Sequence, residues 1–84
     1  MILIDGSLSL SQSVTPDDSA NIQIPTGLNG TRGLYVGVSG DVKVTLAGGT
    51  VATFKDLSAG VVHPLSVKRV WSTDTTATDI VALF

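Results

Sequence analysis

From residue 32 onward, apolar residues alternate with polar or small ones in short runs, and the first runs are separated by glycine-bearing turns. Leu34-Tyr35-Val36-Gly37-Val38 gives way to Ser39-Gly40-Asp41, Val42-Lys43-Val44-Thr45-Leu46 to Ala47-Gly48-Gly49, and Val51-Ala52-Thr53-Phe54-Lys55 follows. A period of two marks strands with one buried and one wet face. Upstream, Asp5-Gly6 between residues 1–4 and 7–14 is a two-residue hairpin signal. Such a hairpin is marginal alone and must dock on its own domain or on a neighbour. Ile22 and Ile24 alternate with Asn21 and Gln23, which predicts a short strand ended by Pro25, a residue that cannot donate to a ladder. Residues 26–31, with Gly27 and Asn29-Gly30, predict a surface loop.

The hairpin at Gly48-Gly49 allows loop length to be argued from register, because a one-residue slip turns a strand inside out. A two-residue loop would leave Phe54 opposite Lys43, a poor core pair. A three-residue loop, Gly48-Gly49-Thr50, sets Leu46 opposite Ala52 and Val44 opposite Phe54, and its cost is Lys43 opposite Lys55 on the outer face. Burial of a Phe, about 1.5 to 3 kcal/mol, outweighs an exposed repulsion of a few tenths, so the longer loop is expected. In residues 61–71, Val67 and Val70 have opposite parity; either both faces are covered or a bulge near Lys68-Arg69 resets the alternation. Residues 80–84 are apolar on both faces, as in a central sandwich strand or one whose outer side meets another subunit.

The elements add up to an all-β fold, a small antiparallel β-sandwich or compact jelly-roll-like barrel of about seven or eight short strands. Residues 15–84 read as a single β domain, and residues 1–14 as an amino-terminal arm or hairpin that contacts another subunit.

Composition sharpens this picture at two points. Charged residues make up 14% of the 84 and hydrophobic ones 43%, against about 25% charge in ordinary soluble domains. Neutral polar residues could keep such a chain soluble alone, or much of its surface is covered in an assembly. The net charge is −2, and the five cations are scattered apart from Lys68-Arg69, so no stripe for nucleic acid is expected. All seven acids are aspartate, which suits turns. There is no cysteine and one histidine, too few for a disulfide framework or a zinc site. No run approaches the roughly 18 apolar residues of a membrane helix, and residues 1–6 do not form a signal peptide. Cytoplasmic synthesis without secretion is the expectation.

No cluster suits catalysis. His63, before Pro64, has no partner in the pattern, Val38-Ser39-Gly40 is no nucleophile elbow, and Gly37 to Gly40 lacks the lysine and helix of a phosphate loop. Asp17-Asp18, and Asp74 with Asp79, lack calcium-loop spacing and read as turn aspartates. Asn29-Gly30-Thr31 matches a glycosylation sequon, which is idle without secretion. No catalytic residue, cofactor or metal ligand is expected. Tyr35 and Trp71 are the large amphipathic rings, suited to core or interface packing more than to a sugar platform. The residues expected at an interface are Ile2, Ile4, Leu8, Leu10, Trp71, Val81 and Leu83.

Gly33-Leu34-Tyr35-Val36-Gly37, Gly40-Asp41-Val42 and Leu46-Ala47-Gly48-Gly49, followed by Gly60, Pro64, Val67-Lys68-Arg69-Val70, Thr75-Thr76-Ala77-Thr78 and Ile80-Val81-Ala82-Leu83-Phe84, carry a family likeness. In this order and spacing they resemble the small head spike base proteins of phage-like gene transfer agents and tailed bacteriophages, with Thr15-Pro16-Asp17-Asp18 as the entry turn. The resemblance implies a virion structural protein on the phage head, made in the bacterial host. It implies a homo-oligomer at capsid vertices, in contact with the major capsid protein and with a spike or fibre protein. Neither nucleic acid nor membrane belongs to that picture, and it carries no catalytic residues. The rival class is a small β module that recognises host glycan or another surface polymer.

Overall fold

The computed structural model describes residues 10–84. Seven strands among them form two antiparallel sheets, and no helix occurs among the described residues: β1 (Ser11–Val14), β2 (Gly33–Val38), β3 (Gly40–Leu46), β4 (Val51–Leu57), β5 (Val61–His63), β6 (Val67–Val70) and β7 (Thr78–Leu83). The first sheet runs β1-β7-β2-β5 and the second β4-β3-β6. Of the two architectures expected from the sequence, the sandwich is the one formed.

Alternation places the even-numbered residues of the central strands inside. Leu34 and Val36 of β2 face Ala82 and Ile80 of β7 within the first sheet. Val42 and Val44 of β3 face Phe54 and Ala52 of β4 within the second. Leu34, Val36, Val42, Val44 and Val67 are fully buried, and they join Val70, Ala77 and Ile80 in one cluster spanning both sheets. Each such side chain contributes about 1.5 to 3 kcal/mol on leaving water. The chain passes from one sheet to the other through Ser39 alone, between β2 and β3. Segment 75–77 anchors this corner: Thr76 and Ala77 amides donate to Asp41 O at 2.8 and 3.2 Å, and the Asp41 amide donates to Thr76 Oγ1 at 2.9 Å.

The β3–β4 loop has three residues, as the register argument requires, yet it begins one residue earlier than expected. Ala47, Gly48 and Gly49 turn the chain, with the Gly49 amide on Leu46 O at 2.8 Å and the Leu46 amide on Thr50 O at 2.7 Å. Gly49 holds φ at 97°, the left-handed position that ends a three-residue hairpin loop. The pairs therefore shift by two: Phe54 faces Val42 instead of Val44, and Val44 rather than Leu46 takes Ala52. A shift of two keeps every side chain on its face, so Phe54 remains inward, half-buried against the core. It also removes the expected Lys43–Lys55 repulsion, since Lys43 faces Thr53.

Two other expectations are corrected. Residues 21–24 form no strand; the Ile22 amide donates to Lys68 O at 2.9 Å, but the Asn21 carboxamide accepts from the Arg69 side chain and no ladder develops. Amides of Asp17, Ile22 and Thr31 still cover the free edge of β6 through Val70 O, Lys68 O and Val67 O, which blunts it against pairing with other chains. The loop at 26–31 is not wholly on the surface, because Thr31 is buried. Its hydroxyl donates to Leu65 O at 2.7 Å and accepts from the Val67 amide at 3.0 Å, so its burial leaves no polar group unpaired. The bulge reading of β6 holds: Val67 opposes Leu46 and Arg69 opposes Thr45, leaving Lys68 as the extra residue that lets Val67 and Val70 both point inward. β7 is central, between β1 and β2, as residues 80–84 suggested. Residues 11–14, counted from sequence with the arm, pair with β7, and Val14 packs on the core.

Candidate interaction surfaces

The outer face of the first sheet is built from odd-numbered positions of β1, β2 and β7 and from Val62 of β5, where the parity inverts. Tyr35 of β2 lies between Val81 of β7 and Val62 of β5, and Leu83 lies between Ser11 of β1 and Gly33 of β2. Tyr35, Val81 and Leu83 are half-buried and Val62 is 44% exposed. Ser13 completes the row opposite Val81, so seven neighbouring positions carry no charge. Two interface residues named from sequence, Val81 and Leu83, share this face. Leu10 sits beside it at the β1 edge, 55% exposed, where its carbonyl accepts from the Phe84 amide at 2.9 Å. Ile2, Ile4 and Leu8 lie outside the described residues.

Trp71 is on the other sheet. Its indole N–H donates to Thr45 Oγ1 at 2.9 Å, and the Lys43 ammonium and Arg69 guanidinium stand 4.8 and 5.2 Å from the ring centroid. The ring is thereby engaged by its own chain. Lys43, Lys55 and Arg69, scattered in sequence, meet on the outer face of the second sheet because all three are at odd positions of β3, β4 and β6. They are also internally satisfied: Lys55 approaches Asp41 at 3.4 Å and Lys43 approaches Asp74 at 4.0 Å. Arg69 bonds Asn21 Oδ1 and Asp18 O. The expected interface set is thus split between two faces. Tyr35 and Val62 share the face of Val81 through the register of β2 with β7 and β5, which alternation within a single strand could not give.

The aspartates act locally. The Asp18 carboxylate accepts from the Thr73 hydroxyl and amide, which hold it below the usual carboxylate range and tie segment 15–20 to segment 72–75. The Asp56 amide, then the Lys55 ammonium, does the same for Asp41. The Ser19 amide and hydroxyl lower Asp17. His63 Nε2 lies 3.0 Å from Ser58 O. Among the described residues, no three of His, Cys, Asp and Glu gather as a metal site would require.

No family model matches the chain, and no curated protein does either. It is similar to a chain of the solved structure "Capsid of native GTA particle computed with C5 symmetry", the capsid of a gene transfer agent. Identity is 25% and the TM-score 0.78, over 98% of this chain and 92% of that one.

Proposed function

We propose that the chain is a structural subunit of a phage-like virion, an oligomeric head spike base or capsid decoration protein. The likeness to a capsid chain over nearly the full length of both carries this reading. Its location would be the phage head surface, after synthesis in the bacterial host cytoplasm. Its partners would be further copies of itself, the major capsid protein and a spike or fibre protein. The copies meet through the uncharged row on the outer face of the first sheet, where covering Tyr35, Val62, Val81 and Leu83 strips water from apolar groups. The amino-terminal arm or hairpin of residues 1–14 would reach a neighbouring subunit or the capsid floor through Ile2, Ile4 and Leu8.

The role is assembly and not catalysis, since Asp17, Asp18, Asp41 and Asp74 are engaged by their own chain and the described acids do not converge on a reacting position. A glycan-binding module has weaker support, because the Trp71 ring already carries two cations of its own chain. Density-gradient fractionation of lysates that contain phage-like particles tests the proposal. An antibody to this chain should stain the head fraction, and a glycan array probed with the free protein should show no sugar preference. Absence from the heads with a clear glycan preference would replace it by the binding-module reading.

A further inference from the structure

A cleft of about 320 Å³ opens where the end of β1 meets the segment leading into β7. Its apolar side is made by Val14, Pro16 and Ile80, its polar side by Thr75, Thr76 and the single charge, Asp79. Thr75 Oγ1 accepts from the Lys43 amide at 3.0 Å and Thr76 Oγ1 from the Asp41 amide at 2.9 Å. Both hydroxyls are therefore fixed in place while each keeps its own proton for a further acceptor.

Asp79 is unusual on two counts. It lies within a strand and yet holds φ at 56°, where Asp is tolerated but not favoured. It packs directly over Gly37, where an added Cβ would come within 2.6 Å of Asp79 Cβ. The carboxylates of Asp17, Asp18, Asp41 and Asp74 are each bonded or ion-paired, whereas those of Asp56, on β4 away from the cleft, and Asp79 have neither kind of partner among the described residues. The fold thus presents one unpartnered carboxylate beside a small apolar wall and two oriented hydroxyl donors.

We infer that this cleft receives an arginine side chain from an extended segment of a partner protein. The aliphatic stem lies on Val14, Pro16 and Ile80, as long basic side chains do on apolar surface. The guanidinium forks onto the Asp79 carboxylate. The Thr75 and Thr76 hydroxyls donate to carbonyls of the segment's backbone. A sugar fits less well, because no aromatic ring lines the cleft. This inference rests on the cleft alone and stands or falls apart from the virion reading.

Titration of the full chain with acetyl-Gly-Arg-Gly-amide, followed by amide chemical shifts, tests it against the citrulline peptide, which has nearly the same shape without the charge. Saturable shifts confined to residues 14–16 and 75–80 are expected, with the arginine peptide binding about tenfold more tightly, as a charge-assisted hydrogen bond implies. Asp79→Asn, which also tolerates positive φ, should abolish that preference and leave the rest of the spectrum unchanged. Asp79→Gly should do the same and guards against a folding defect specific to the asparagine variant. Equal binding of the two peptides, no saturable shift with either, or an undiminished preference in both variants would overturn the inference.

Discussion

Single side chains hold the corner between the sheets, and glycine makes it possible. A Cβ on Gly40 would meet the Ala77 amide nitrogen at 2.6 Å and its Cα at 2.9 Å, both backbone atoms that cannot step aside. Gly40→Ala should therefore destabilise by about 1 to 3 kcal/mol, as overpacking does, whereas Gly48→Ala, with nothing within 4 Å, should be close to neutral. Urea unfolding of the two variants checks the contrast. The carboxylates give a second test. Asp18 and Asp41 are held below the ordinary aspartate value of 3.8 by bonds that exist only in the folded chain. A folded pKa below the unfolded one contributes stability above the unfolded value and loses it as pH falls through the folded value. Thermal midpoints should thus be flat from neutrality to about pH 4 and fall below it, and Asp41→Asn should reduce the fall; a midpoint that rises on acidification would contradict the bonds described. That Asp17, Asp18 and Asp74 would serve turns was legible in sequence, whereas Asp41, Asp56 and Asp79, the last also expected in a turn, fall within β3, β4 and β7. Which amide each carboxylate would take was not legible, because Asp18 reaches Thr73 and Asp41 reaches Asp56 between segments far apart in sequence.

Among the elements, parity was readable and position along the strand was not. Phe54 had to point inward for the β3–β4 hairpin to have a core, and it does. Its partner is Val42 and not Val44 because Thr50 pairs with Leu46 and leaves Ala47 in the loop. Both registers bury the same face, so hydrophobicity could not choose between them. Phe54 is half-buried, so Phe54→Ala should cost about 2 kcal/mol, less than the 3 to 5 of a fully enclosed Phe; a silent substitution would refute the inward placement. Residues 21–24 misled for a related reason: their alternation is real, but one bond to Lys68 does not make a strand. Residues 11–14 belong to the first sheet. Deleting residues 1–9 should leave the urea midpoint unchanged and reduce uptake into particles. Deleting residues 1–14 should cost about 2 kcal/mol or more, through the lost ladder and the uncovered Ile80. A large stability loss from the shorter deletion would place the arm in the core of its own domain.

At the scale of the whole molecule, the two outer faces differ in kind. The second sheet shows Lys43, Lys55 and Arg69, each engaged with its own chain, while the first shows an uncharged row around Tyr35 and Val81. The sparse charge of the sequence pointed to a covered surface, and the folded chain gathers an uncharged row on the first sheet. Trp71 could not be assigned to a face from sequence, because it follows the Lys68 bulge that resets the alternation of β6. The central claim is that this chain is a structural part of a phage-like head, built from several copies meeting through the first sheet. An electron cryo-microscopy map of the particles, with density traced for this chain, tests it most directly. The account predicts the two-sheet fold on the head surface with the Tyr35, Val62, Val81 and Leu83 face covered by a second copy. A head lacking this chain, or one where it stands singly with that face open to solvent, would contradict it.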